Sequence, residues 1–478
     1  MAAESKLKPL SIPRNRENDG WLVCPKCGSG YATPTHFCKK CRYYAPSWTP
    51  SDVKKARPRW IFRLIFGLIC CVWFLFLCCL AWLCRAYIPN PLLFFHQPAS
   101  QISAISHKGE WVGYARDPAH TRYLDYASPL KGRIRWSLFL GKPTSSAPAV
   151  KDGILFVGGD YKIHALEAET GRAVWEIPTT GPVHSSPAIA GGSVFFGLLD
   201  ERIIALDRFN GDLRWEFKAP NWVFGSPTVQ KGMLYIGSGD GAIHAIDAKT
   251  GQPVWRIQTE GHILSAPALK DGILYATSND RKLYSVSART GALRLCFQIS
   301  LNIFEAPVVA NNLVYFTAED GHLYTLRHRA REFPGQHTML RAWLQLWLWR
   351  FPIPPPVQPG AKWRFSPKIP GNGFVSSPAV TREVLYIGDQ LGWLYACDSL
   401  KGDALWEFKA QSAILTSPLV LGEEVYFGSK DGDFYALDRH KGEFLWKVSL
   451  GAPIEVSPVF AVGLLFVRTE DGSLYAIE

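Results

Sequence analysis

The chain has 478 residues, enough for two or three domains, and 47% of them are hydrophobic, a globular rather than a disordered composition. Its formal charge is +11, but residues 1–63 hold thirteen Lys or Arg against four Asp or Glu, a net +9, leaving +2 for the remaining 415. That near-neutral body argues against nucleic-acid binding by the bulk of the chain.

Residues 1–20 read as a flexible terminus. Within 21–46, Cys24-Pro25-Lys26-Cys27 and Cys38-Lys39-Lys40-Cys41 form two Cys-x-x-Cys pairs ten residues apart. That spacing brings four thiolates within reach of one tetrahedral zinc ion, as in a zinc ribbon. Four thiolates leave no open position, so the zinc is expected to be structural. Two disulfides are the alternative, and His36 is a competing donor. Residues 47–63 are a basic segment with Lys54, Lys55, Arg57, Arg59 and Arg63.

Leu64–Cys84 is twenty-one residues without a charge, long enough to predict one transmembrane helix. The basic residues before it orient the N-terminus to the cytoplasm. The expected location is therefore the cytoplasmic membrane, single-pass, with the C-terminal bulk periplasmic or extracellular. Residues 85–110, with Pro89, Pro91 and Pro98, read as a linker.

From residue 111 onward one phrase keeps returning. Its clearest copy is Ser226-Pro227-Thr228-Val229, Met233–Gly237, Asp240-Gly241, Ile243–Asp247 and Thr250-Gly251 to Trp255. The proline recurs at 148, 187, 227, 267, 307, 378, 418 and 458, in steps of about forty except one of 71. Each copy holds four short apolar runs rich in β-branched and aromatic residues, broken by Asp-Gly and Thr-Gly turn signals. These predict four antiparallel strands per copy, one blade of a β-propeller. The tryptophan beat runs Trp136, Trp175, Trp215, Trp255, Leu295, Trp363, Trp406 and Trp446. The array begins with a lone tryptophan strand, Gly132–Phe139, and ends without one. The first strand is therefore expected to complete the last of eight blades and close the ring. Asp160, Asp200, Asp240, Asp280, Asp320, Asp431 and Asp471 keep constant register with the turns, which makes them turn residues rather than a metal site.

Ser377-Pro378-Ala379-Val380, Leu385-Tyr386-Ile387-Gly388, Tyr435-Ala436-Leu437-Asp438 and Thr170-Gly171 to Trp175 resemble the pyrroloquinoline-quinone (PQQ)-type β-propeller repeats. The lead-in Trp111–Arg122 is similar to the start of many such domains. The resemblance covers 111–478. It implies an all-β, eight-bladed propeller, and among non-enzymatic members it points to BamB-like proteins.

Variable blade-to-blade connections share a face with the Asp-Gly hairpins, at one mouth of the central channel. His184, Trp222, Phe224, His262, Phe304, Glu305, Phe374 and Glu455 fall there and are candidate contacts for a protein or peptide partner; the alternative is that they merely fill the mouth. An insertion at 327–362 interrupts blade 5. It is basic at first, then apolar over Thr338–Phe351, with Trp343, Trp347 and Trp349 as candidate partner or membrane contacts. Packing back onto the propeller is the alternative.

The reading that follows is a membrane-anchored, non-enzymatic binding scaffold, BamB-like, acting in envelope protein assembly or recognition. A PQQ-dependent dehydrogenase is the enzymatic alternative. Members with that activity carry an adjacent-cysteine pair in the propeller, calcium ligands and long loops over the cofactor. Here Cys296 and Cys397 lie in different blades and the loops are short, which argues against the quinone. A transmembrane sensor reporting to the zinc module is a third reading; the zinc module's cytoplasmic partner stays open.

Overall fold

In each forty-residue unit the turn signals sit between runs too short for anything but a strand, so the chain folds back on itself three times. The computed structural model describes residues 59–478 apart from 89, 91–92, 94–97, 99–100, 105, 108, 127–129, 355–356, 368 and 370–372; before 59 it describes 22–23, 27, 29–31 and 40. Two compact units result, 1–84 and 85–478.

In the first unit, Leu22–Val23 pairs antiparallel with Gly30–Tyr31. The N-terminal 1–20, Cys24, Cys38 and Cys41 of the zinc ribbon, and most of the basic segment lie outside the described residues. Cys27 is exposed, with its Sγ 2.8 Å from Ser29 Oγ. Among the described residues no group of three or more His, Cys, Asp or Glu gathers to hold a metal. The four-cysteine zinc site expected from the sequence thus lies mostly outside the described residues, and no zinc-binding group is shown.

Helix α1 spans Arg59–Cys84. Among the described residues, however, no helix is long and apolar enough to cross a membrane. The expected single-pass location, and with it the through-membrane link of the sensor reading, is therefore corrected.

The second unit is an eight-bladed propeller. Six blades are built from four consecutive strands, as in Thr228–Gln230, Met233–Gly237, Ala242–Asp247 and Pro253–Gln258. The blade around Leu419–Leu421 gains a fifth strand, Tyr123–Leu124, paired parallel. The last blade takes Val459–Ala461, Leu464–Arg468 and Ser473–Ile477 from the C-terminus and Ile134–Phe139 from the start of the array. The ring thus closes by overlap, which leaves no blade edge unpaired at the seam.

The recurring tryptophan holds neighbouring blades together. Trp175 Nε1 donates to Arg208 O, Trp215 to Ala248 O, Trp255 to Ala288 O and Trp406 to Arg439 O, each 2.9–3.1 Å, into the following blade. Under each indole sits the turn glycine of that blade: a Cβ at Gly251, whose φ is +74°, would lie 2.8 Å from Trp215. This close approach explains why Gly and Trp repeat together. In blade 4 Leu295 replaces the indole and is buried, with Gly360 of blade 5 opposite it.

The lead-in does more than precede the array. Its backbone reaches the innermost strand region of every blade. Trp111 exchanges bonds with Val150, and Val112 O, Pro118 O, Ala119 O, Thr121 O and Arg122 O accept from Ile189, Leu269, Val309, Val380 and Val420. Ala104 donates to Val229 O, and Gly109 O accepts from Val462. Residues 102–122 therefore lie across one end of the channel and close it.

Candidate functional site

Because an up-and-down blade puts its first and third turns on one face, the lead-in seals the face opposite the Asp-Gly hairpins. What remains is a cup of about 460 Å³, lined by residues from every blade and by Tyr114 of the lead-in. That volume lies in the usual range for small-molecule sites.

The wall is built by the repeat phrase itself. The serine before the recurring proline points inward and ties one blade to the next. Ser186 Oγ accepts from Ala147 N (3.0 Å), Ser226 Oγ from Ser186 N (2.9 Å), Ser417 Oγ from Ser377 N (3.1 Å) and Ser457 Oγ from Ser417 N (2.9 Å). Blades 1, 4 and 5 break the pattern with Ala147, Ala266 and Ala306, the last two in adjacent blades. At that gap stands Glu305, lining the cup. Burial pushes its carboxyl up to about 7, with the Arg122 guanidinium pulling the other way.

Tyr114 of the lead-in forms the floor, with the buried Arg122 packed against it. The guanidinium carbon lies 5.1 Å from the Tyr114 ring centroid, and Arg122 Nη2 donates to Tyr114 O at 3.3 Å. Beside them His120 donates Nδ1–H to Pro307 O at 3.0 Å; burial holds its pKa near 3, so the ring is neutral. On the opposite wall His184 stacks on Phe224, centroids 5.0 Å apart and planes 19° apart. Its Nδ1 accepts from Ser145 N–H at 3.2 Å. Burial, and then the charge of Arg468, hold the His184 pKa down.

Arg468 is buried between the last blade and the first. Its Nη1 donates to Thr144 Oγ1 (2.6 Å) and Gly158 O (2.7 Å), and Thr144 lines the cup. No carboxylate pairs with it among the described residues, and its Nε and Nη2 have no hydrogen-bond partner there; the same is true of Arg122 Nε and Nη1. Desolvation lowers the Arg468 pKa to about 10, still cationic at neutral pH.

Of the residues expected at the mouth, His184, Phe224, Phe304, Glu305 and Glu455 meet at the cup, where Glu455 is paired with Lys430 at 2.9 Å. Trp222 and His262 form a separate pair, centroids 5.4 Å apart, over Gly239. Phe374 is buried against Phe365 and Tyr395. It lines a second cavity of about 430 Å³ that shares Phe304, Glu305 and Val375 with the cup. Tyr114 of the floor, Arg122 packed against it, and Arg468 were not singled out from sequence: the first two belong to the lead-in rather than a repeat. Arg468 had a signal, since it stands where other copies have Gly158, Gly197, Gly237, Gly388 or Gly428. Trp343, Trp347 and Trp349 lie on the insertion, away from the cup lining.

The hairpin carboxylates serve their turns. Asp240, Asp431 and Asp471 each accept from a backbone N–H two residues on, at 2.9–3.0 Å. Cys296 and Cys397 are buried singly, and burial pushes each thiol up to about 12.

Among solved structures, the quinohemoprotein alcohol dehydrogenase from Comamonas testosteroni superposes with a TM-score of 0.63 at 15% identity, covering 82% of each chain. A europium-containing methanol dehydrogenase gives 0.60 at 16% identity, covering 80% of this chain and 91% of its own. A curated relative, the quinoprotein ethanol dehydrogenase of Pseudomonas putida, is 32% identical over 83 residues, 14% of this chain and 13% of that protein. At these identities the solved structures establish the shared fold. With the curated relative, they favour the enzymatic alternative over the expected non-enzymatic, BamB-like binding scaffold and correct the argument against a quinone, since two of these similar proteins carry quinoprotein or quinohemoprotein dehydrogenase names. The family profile described as outer membrane protein assembly factor BamB, built on PQQ-like repeats, matches residues 123–220, 199–266, 239–332, 348–449 and 425–478. By that coverage the chain belongs to this family of PQQ-like repeat propellers.

Proposed function

We propose that the propeller is the body of a quinone-dependent dehydrogenase acting on a small alcohol. The observation that carries the reading is the cup, in which one carboxyl with a pKa of about 7 faces an aromatic wall.

A flat, acidic quinone suits the groups present. The Phe224–His184 stack and Phe304 offer ring faces. Thr144, Ser145, Ser186 and Ser226 offer hydroxyls. Arg122 and Arg468 carry buried donors with no partner among the described residues, and their charge favours an anionic ligand. When bound, such a quinone supplies the acceptor for the two electrons and two protons an alcohol loses.

The chain's own part is positioning and proton handling. A carboxyl with a pKa near the working pH is half ionised, and so is suited to take a proton from an alcohol hydroxyl and release it again. Glu305 stands where the cup meets the second cavity, so an alcohol held there presents its hydroxyl at the edge of the ring-binding space. The sealed floor keeps water to one side.

The test is reconstitution of the full chain with PQQ, with and without calcium, followed by dye reduction with short alcohols. Quinone-dependent turnover is expected. Glu305→Gln should lower kcat by about 100-fold while quinone binding, read by fluorescence quenching, persists. Absence of both binding and turnover would overturn the reading.

A further inference from the structure

The insertion in blade 5 forms helix α2, Gln336–Leu348, between the third and fourth strands of its blade. Its two ends, Arg327 and Ala361, are rooted on the face that the lead-in seals. Its root is fixed: His328 bonds Tyr275 at 3.0 Å and Arg329 pairs with Asp271 at 2.7 Å. The return from the helix is held at blade 4, where Gln298 N donates to Gln358 Oε1 at 2.8 Å, and the charge of Arg341 adds to that of Lys282 in lowering the pKa of Glu260. Trp343, Trp347 and Trp349 are 42%, 40% and 65% exposed. Trp343 Nε1 donates to Pro354 O at 2.9 Å, which ties the returning segment to the helix.

Helical spacing sorts these residues. Met339, Trp343, Leu346 and Trp347 fall on one face, at steps of three and four, with Arg341 and Gln345 on the other, beside the exposed Leu344 and Leu348. Arg331 precedes the helix and Arg350 follows it. All three arginines are exposed, and none has an ion-pair partner among the described residues. The sole acid in 327–362 is Glu332, which is buried and accepts from Tyr87 OH at 2.6 Å. A 13-residue helix without a side-chain cap is marginal alone in water, so something should cover it.

We infer that α2 seats in the plane of an anionic lipid surface, with its tryptophan face at the acyl boundary and Arg331, Arg341 and Arg350 at the phosphates. Charge selects this occupant, because the segment is cationic at both ends and along its polar face. Form agrees: a convex, tryptophan-rich helix of this length cannot span a bilayer but lies readily in its interface.

The experiment is hydrogen exchange on the full chain, resolved to peptides, with vesicles of phosphatidylcholine alone or containing phosphatidylglycerol. Amides of 336–351 should become protected on the anionic vesicles and less so on the neutral ones. Added salt should weaken the effect. Trp343→Ser/Trp347→Ser and, separately, Arg341→Glu/Arg350→Glu should each lower vesicle partitioning of this segment by at least about tenfold. Blade amides should exchange as in the parent, which shows that the variants fold. Unchanged exchange of 336–351 on anionic vesicles would overturn the inference, even where the chain sediments through residues 59–84. Protection that grows with protein concentration without lipid would overturn it in favour of self-association.

Discussion

Trp136 lies directly opposite Ala476 in the strand pair that closes the ring, and its indole Nε1 donates onward to Ala168 O of the first blade at 3.1 Å. One half-buried side chain thus joins the last blade to the first. Trp136→Ala should cost about 2–3 kcal/mol in urea-monitored stability, less than a fully buried tryptophan would. Removing 132–139 should abolish the cooperative transition; a truncated chain that unfolds like the parent would refute closure by overlap.

Two glycine substitutions separate backbone strain from packing. Gly153 and Gly251 both have positive φ, +76° and +74°. A Cβ at Gly153 meets nothing within 4 Å, whereas one at Gly251 meets the Trp215 ring at 2.8 Å. Gly153→Ala should cost about 1 kcal/mol, the left-handed backbone penalty alone. Gly251→Ala should cost about 1–2 kcal/mol more. Equal costs in chemical denaturation would remove the indole contact from the account.

Glu305 makes stability depend on pH. Burial raises its pKa from 4.5 to about 7, so the folded chain holds this proton more tightly than the unfolded one. Its contribution is complete below 4.5 and is lost as pH rises through about 7. Glu305→Gln should therefore be more stable than the parent by about 1–2 kcal/mol at pH 8, with the difference fading by pH 5. Urea midpoints at the two pH values measure it.

Arg468 satisfies Thr144 Oγ1 and Gly158 O across the first and last blades, and no carboxylate among the described residues offsets its burial. Arg468→Ala should strand those acceptors and open a void, at a cost of about 2–4 kcal/mol. It should also raise the pKa of His184, which that charge now depresses. Proton-detected titration of the His184 ring reads the second effect separately from the first.

The blades were legible because their chemistry repeats: a proline, a glycine under an indole and an Asp-Gly hairpin recur at fixed distance. Even the seam showed, as a tryptophan strand missing at Glu478 and present at Trp136. The serine ring was hidden in plain view, since Ser186, Ser226, Ser417 and Ser457 read as part of a turn phrase until their Oγ atoms are seen accepting across blades. The sealing segment was illegible for a different reason. Val112, Pro118, Ala119 and Thr121 hold the blades through their carbonyls, and a backbone carbonyl leaves no trace in residue identity. The catalytic reading depended on that seal and on Glu305 at the gap left by Ala266 and Ala306. It needed three-dimensional proximity between the lead-in and blade 5, which no spacing announces.

The stitched end has a consequence for traffic. With residues 102–122 bonded to all eight blades, nothing can pass through the hub from face to face. A visitor must depart by the door it entered, so each product has to clear the opening before the next molecule can arrive, and displaced water must use the same exit.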